Sequence, residues 1–319
     1  VKRARPVAII GAGLSGIGCA RALRAAGVDA RLFERAPQAG GRCASRLWQG
    51  HLVDYGVQYF SVASALFRKE LVERLRQIRP IIQPILDPDD KLVPSPKGLR
   101  YYALQGNHFL AHALSSGLDL RCQTPVTGID FTAEGVQCLG ETYAAVVSSL
   151  PGPQTAALFQ LSRPAAAYDA GMTALLEYAG AGLGREVYGR LGRPGSLIGD
   201  SYCESLKSGR TVGEKTVFVV HATAEASRDL AAMPPERALV LLAREHRELW
   251  KLADVPCSAR FLHRWDYAWP RVDERHRPEL PPGAFICGDS VSGATLEEAW
   301  LNGGAVADEV LAYLAALGA

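Results

Sequence analysis

The sequence predicts an α/β protein of two interleaved domains, and three observations predict it. Near the start, "VAIIGAGLSGIGCARALRAAGVDARLFER" (Val7–Arg35) reads as strand, glycine turn, helix and second strand. Near the end, "GAFICGDSVSGATLEEAW" (283–300) reads as strand, glycine turn and helix. Between them lie further strand patterns and an amphipathic stretch, so the middle of the chain interrupts the domain that holds both glycine units. A length of 319 residues suits about two domains.

Val7–Ile10 is an apolar run suited to a strand buried on both faces. Gly11, Gly13, Ser15 and Gly16 follow as a GxGxxG turn. Gly11 permits the tight turn, Gly13 lets backbone approach a pyrophosphate, and Gly16 lets the helix pack on the strand. The helix N-terminus then faces the phosphates with free amides and a favourable dipole. It runs to about Ala26, where Gly27 stops it before the strand Ala30–Phe33. Glu34 closes that strand, placed to accept hydrogen bonds from a ribose, with Arg35 beside it. Together these features predict a dinucleotide site.

"ERAPQAGGRCASRL" adds Gly40, Gly41 and Arg42 just past the acid. A nicotinamide-only domain has no need of them, whereas two glycines let backbone close over a pyrophosphate and an arginine can neutralise it. The alternative is a surface turn. "LFRKELVERLRQI" predicts an amphipathic helix that begins an insertion. "LDLRCQTPVTGIDFTAEGVQCL" and "YAAVVSSLP" read as strands returning to the first domain, with Val126 offering backbone to adenine. Thr216–His221 and Arg260–His263 read as strands of a substrate sheet.

In the last segment, Ala284–Cys287 reads as a strand, followed by Gly288 and Asp289. Thr295 and Glu298 form a capping-box pattern, making Thr295 the N-cap and leaving free amides at Leu296 and Glu297. Those amides suit the negative charge that develops on a reduced flavin, and Asp289 suits a ribityl hydroxyl. The dinucleotide predicted is therefore FAD.

Composition narrows the partners. A net charge of +2, from 35 basic and 33 acidic residues, leaves no basic stripe for nucleic acid. No apolar run approaches the roughly 18 residues of a membrane span, and the apolar start is read as a strand rather than a signal segment. Seven scattered cysteines without CxxC spacing predict reduced thiols in a cytoplasmic protein and no metal site.

These residues carry a resemblance. "GGRCASR…DYGVQYFS", "VVSSLPGPQTAAL", "SLKSGR…VFVVHATAEAS" and "HRWDYAWP" resemble, in order, segments of the renalase-type proteins of the flavin amine-oxidase superfamily. Two departures stand out: Ser290 occupies the place of a tryptophan, and Glu298 that of a glycine. The resemblance implies a Rossmann-like, glutathione-reductase-like FAD-binding domain (1–60, 115–150 and 278–319). A substrate domain on a mixed β-sheet with helices takes 61–114 and 151–277.

It also implies an oxidase of misreduced dihydro-NAD(P) isomers that yields NAD(P)+ and, with molecular oxygen, hydrogen peroxide. The substrate is then a small molecule, a dihydronicotinamide or an amine. No cysteine in "SGATLEE" can tether the flavin, so FAD is expected to bind noncovalently. Gln58 and Tyr59 join the expected cofactor contacts; Tyr59, His221, Trp265 and Tyr267 are candidates for the reacting face. Each has a plainer role open to it, since His221 can be structural and Trp265 and Trp269 can simply pack. An amine oxidase commonly needs a lysine near the flavin, and Lys207 and Lys215 are expected in an exposed turn, which disfavours the amine. A flavin-binding protein without turnover is the third alternative.

Overall fold

Nothing polar interrupts Val7–Ile10, and the strand is buried along its length. It pairs in parallel with Ala30–Phe33 on one side and Ala145–Ser148 on the other. Ala284–Ile286 and Asp119–Arg121 complete a five-stranded parallel sheet. The structure is a computed structural model that describes residues 5–95, 97–252 and 254–318; most of the basic start, residues 1–4, lies outside them. Helix Leu14–Ala25 follows the first strand and ends where Gly27 takes φ +80°. The C-terminal helix Leu296–Gly318 lies on it backbone to backbone. A Cβ on Gly303 would stand 2.1 Å from Ser15 O, and one on Gly18 2.7 Å from Trp300 O.

A second sheet has six strands in the order Cys257–Pro270, Tyr168–Ala179, Lys215–Ala222, Ile198–Cys203, Gly189–Leu191 and Ile85–Leu86. Tyr168–Ala179 and Lys215–Ala222 are antiparallel, while Gly189–Leu191 and Ile85–Leu86 are parallel, so the sheet is mixed. Strand alternation divides its side chains. Phe218 and Val220 join Ala174, Leu176 and Tyr178 in a core closed by Leu230 of helix Ala224–Ala231 and Leu242 of helix Pro235–Leu249. Val217, Val219 and Leu175 pack with Trp48 and Val53 instead.

The chain separates into two units, Val1–Cys43, His108–Tyr168 and Pro270–Ala319 in the first, Ala44–Asn107 and Asp169–Trp269 in the second. These limits differ from the expected ones. Residues 44–60 fall in the second unit because the hairpin Ser45–Trp48/His51–Asp54 buries Trp48 and Val53 against its sheet. Residues 151–168 fall in the first because helix Gly152–Phe159 places Leu158 and Phe159 in a core with Ala8, Ile10 and Val146. The helix expected over Leu66–Ile78 is shorter: Ala65–Arg68 passes into a π-helical turn, Lys69–Glu73. Residues 74–77 form a turn, and only the last expected residue joins the strand Ile78–Ile81, which pairs with Arg100–Ala103. Among the described residues no helix is long and apolar enough to cross a membrane.

Candidate functional site

The glycines of the first unit divide their work as their surroundings dictate. Gly11 turns at φ +97°, and a Cβ there would meet Ser149 Oγ at 2.7 Å. A Cβ on Gly16 would stand 2.2 Å from Gly11 O, so only glycine lets the helix sit this close to the turn. Gly13, the helix N-cap, is different: nothing lies within 4 Å of its Cβ position. No side chain caps this helix and no acid occupies its first turn. Its leading N–H groups therefore have no side-chain partner from a cap, the arrangement in which a helix start can receive an anion.

The second glycine pair sits beside the first turn. Gly40 N–H donates to Ala12 O at 3.0 Å, and the Cβ position of Gly41 is 3.8 Å from Gly13 Cα. Ala12 N–H donates to Glu34 Oε2 at 3.0 Å and Ala36 N–H to Glu34 Oε1 at 2.9 Å, which fixes the carboxylate beside the turn. Arg35 is exposed. Val126, half-buried, lies two residues past Thr124, whose N–H donates to Glu34 O at 2.8 Å.

Asp289 is 7 % exposed, and both carboxylate oxygens are engaged: Arg42 Nη1 donates to one at 2.6 Å and the Tyr168 hydroxyl to the other at 2.7 Å. Burial pulls this carboxyl upward, but the hydrogen bond and charge of Arg42 outweigh it and hold the group below its ordinary range. The sequence offers Asp289 to a ribityl hydroxyl; the fold commits it first to Arg42 and Tyr168. Ser15 is also turned inward, with its Oγ 3.1 Å from the Cβ position of Gly288. The capping box of the last helix forms. Glu298 N–H donates to Thr295 Oγ1 at 3.3 Å, and Thr295 N–H to Glu298 Oε2 at 3.0 Å. Leu296 is half-buried and Glu297 is buried.

In the second unit, His221 occupies the end of Lys215–Ala222. Thr173 and Asp200 are its register partners on the two neighbouring strands, so the three share one face. His221 Nδ1 is 2.8 Å from Asp200 Oδ1, and Trp265 Nε1 donates to Thr173 Oγ1 at 3.0 Å. Because a carboxylate only accepts, Nδ1 is the donor in this contact, and in the neutral ring Nε2 is then the acceptor. The Trp265 ring stacks on Tyr55 at 5.2 Å and meets His263 edge-on at 4.4 Å. Tyr202, two residues beyond Asp200, lies 6.1 Å from the His221 ring and 5.8 Å from Tyr59. Three expected residues, Tyr59, His221 and Trp265, thus lie along one row of side chains. Tyr267 follows Trp265 by two residues in the same strand, half-buried. Asp200, Thr173, Tyr202 and Tyr55 complete the row and were not expected.

Lys207 is not exposed, contrary to expectation. Its ammonium and the Arg210 guanidinium are fully buried with the carboxylates of Asp54 and Glu204. Asp54 Oδ2 accepts from Lys207 Nζ and Arg210 Nη2, each at 2.8 Å. Lys207 Nζ also stands 2.8 Å from Glu204 Oε2. Burial would raise Asp54, but Lys207 and Arg210 hold it low; at Glu204 burial prevails and the carboxyl is raised. The two carboxylates draw Lys207 inside despite its Gly-rich surroundings. Lys215 is partly exposed and pairs with Glu177 at 3.2 Å.

With this geometry in place, the chain can be set beside known proteins. The model of flavin-containing amine oxidoreductases matches residues 88–311, more than two thirds of the chain. The chain belongs to the flavin-containing amine oxidoreductase family. That of NAD(P)-binding Rossmann-like domains matches residues 9–75. Among solved structures, reduced UDP-galactopyranose mutase is similar at a TM-score of 0.78 and 11 % identity, over 97 % of this chain and 94 % of that one. Cyclohexylamine oxidase from Brevibacterium oxydans IH-35A is similar at 0.74 and 12 %, over 98 % and 100 %. Putrescine oxidase bound to putrescine is similar at 0.72 and 12 %, over 97 % and 99 %. At such identities the likeness is one of fold. As a member of this family the protein is an FAD-dependent oxidoreductase. The open, uncapped start of the first helix agrees with that cofactor.

Proposed function

We propose that this amine-oxidoreductase family member is a renalase-like oxidase of misreduced dihydro-NAD(P) isomers, giving NAD(P)+ and hydrogen peroxide. The observation that carries the proposal is the pairing of two facts within the second unit. One sheet face presents His221, hydrogen-bonded to Asp200, among Tyr59, Tyr202, Tyr55 and Trp265. Lys207 and Lys215, which an amine oxidase could use to hold a water, are instead tied to carboxylates. Flat aromatic rings suit a dihydropyridine, and His221 Nε2 can accept a hydrogen bond from its carboxamide.

Bound FAD supplies the two-electron acceptor and the relay to dioxygen. The substrate's C–H bond breaks with its electron pair leaving on the hydrogen, which gives an aromatic pyridinium; dioxygen would take those two electrons, that proton and one further proton from water to become hydrogen peroxide. The chain's part is to bind and orient. Gly11, Gly13, Gly16 and the uncapped amides are assigned to the pyrophosphate, with Gly41 and Arg42 beside them. Glu34 is assigned to the ribose. FAD is held noncovalently, since no cysteine lies between Gly288 and Trp300. Glu34→Ala is expected to weaken FAD by about 1–3 kcal/mol, because a ribose hydroxyl and Ala12 N–H both lose an acceptor. Flavin titration of the apoprotein measures it, and parent-like affinity removes Glu34 from this role.

Anaerobic mixing tests the activity. Dihydronicotinamide isomers are expected to bleach the flavin, and small amines to leave it oxidised. The second reading, oxidation of a small amine, is favoured by the names of two similar structures, a putrescine oxidase and a cyclohexylamine oxidase. Bleaching by amines alone would establish that reading and overturn the first.

A further inference from the structure

The segment 55–59 brings two rings to the His221 row, and its backbone is tethered from several directions. Gln58 Nε2 donates to Asp54 O and, at 3.2 Å, to Gly56 O. Asn107 Nδ2 donates to Val57 O at 2.8 Å, and the Tyr188 hydroxyl to Gln58 O at 3.0 Å. The Asn107 tether leads back to the buried charges. Asn107 N–H donates to Asp54 Oδ1 at 2.8 Å, Ser45 Oγ donates to the same oxygen, and Arg210 Nη2 holds Ala103 O at 2.6 Å. Ala103 N–H in turn donates to Asn107 Oδ1 at 3.0 Å.

Four buried charges are an inefficient way to stabilise a fold, since apolar side chains of equal volume commonly do as well or better. What charges offer is direction: Asp54 and Arg210 set the angles of groups on separate stretches of chain at once. We infer that the buried quartet Asp54, Glu204, Lys207 and Arg210 is a positioning device for residues 55–59, holding Tyr55 and Tyr59 against the His221 face. The inference rests on the proposed reading of that face as the substrate side. These four are positioning residues; the chemistry passes none of them.

The test compares Lys207→Met, Lys207→Arg and Asn107→Ala as full-length, FAD-loaded protein. Asn107→Ala keeps all four charges and the N–H bond to Asp54 while removing the tether to Val57 and the acceptor of Ala103 N–H. Four quantities are measured: flavin content, amide exchange at residues 55–59, and the limiting rate and half-saturation of anaerobic flavin reduction. Lys207→Met and Asn107→Ala are expected to keep their flavin, to exchange faster at 55–59 and to lower the limiting rate by roughly ten- to a hundredfold. Lys207→Arg is expected to recover most of that loss. Parent-like exchange and rates in Asn107→Ala overturn the inference, whether or not Lys207→Met folds. A uniform loss of protection without a local excess at 55–59 overturns it too. If no dihydronicotinamide reduces the parent, the proposed substrate fails, while exchange at 55–59 and reduction by whichever substrate does work still decide the positioning role.

Discussion

Asp54→Ala is expected to destabilise the second unit by about 3–5 kcal/mol, the cost of breaking a buried ion pair from one side. Lys207 and Arg210 would be left with Glu204 alone, and all three side chains are fully buried. Asn107 N–H and the Ser45 hydroxyl would lose their acceptor as well. Asp54→Asn keeps the shape and is expected to recover only part, because one uncompensated positive charge remains. Removing opposite charges together is the sharper experiment. In Asp54→Leu/Lys207→Met, Glu204 and Arg210 still balance, so the double variant should lose less than the sum of its parts. Denaturant unfolding followed by exchange at amides of Lys215–Ala222 reads this unit separately, which a two-domain protein requires. A loss within about 1 kcal/mol for Asp54→Ala would mean that water reaches the quartet and screens it.

What could be foreseen here was local. Residues 7–35 carry strand, turn and helix signals within a short window, and the strands Val7–Ile10 and Ala30–Phe33 form over the expected residues. The capping box needed only Thr295 and Glu298, three residues apart, and it forms. Lys207 was misjudged because its partner Asp54 is 153 residues away, and a Gly-rich neighbourhood says nothing about a carboxylate waiting elsewhere. The proposed reacting face was half visible for a similar reason. His221 stood out as a histidine ending an apolar strand, whereas Asp200 and Thr173 become its neighbours only through strand register. "IGDSYC" does alternate Asp200 with Tyr202, a pattern that could have nominated both. Gly18 and Gly303 carry no turn signal, because their purpose is the close approach of two distant helices.

Acid is expected to weaken the fold through a residue far from any proposed chemistry. His246 is fully buried, 2.9 Å from the Tyr178 hydroxyl and packed against Phe218 at 4.7 Å. Burial first, and the charge of Arg247 second, push its pKa down to about 3. An unfolded histidine takes its proton near pH ~6.5. Below that point the unfolded chain binds a proton that the folded chain refuses, so this contribution is complete above about pH 6.5 and is lost as pH falls toward the folded value. The slope is about 1.4 kcal/mol per pH unit, and the full loss about 3–5 kcal/mol. His263, lowered by burial and then by Arg46, adds in the same direction. Asp289, held low, adds its own loss only below the ordinary carboxylate range of about pH 4. Between about pH 6.5 and 4.5 the difference between parent and His246→Phe therefore isolates His246. The variant leaves the Tyr178 hydroxyl without its partner, a penalty that does not change with pH in this range. Urea unfolding at several pH values should show a lower but flatter stability curve for His246→Phe, crossing that of the parent or approaching it as acid is added. Parallel curves would mean that His246 titrates alike in both states, and that water enters beside its ring when the protein is folded.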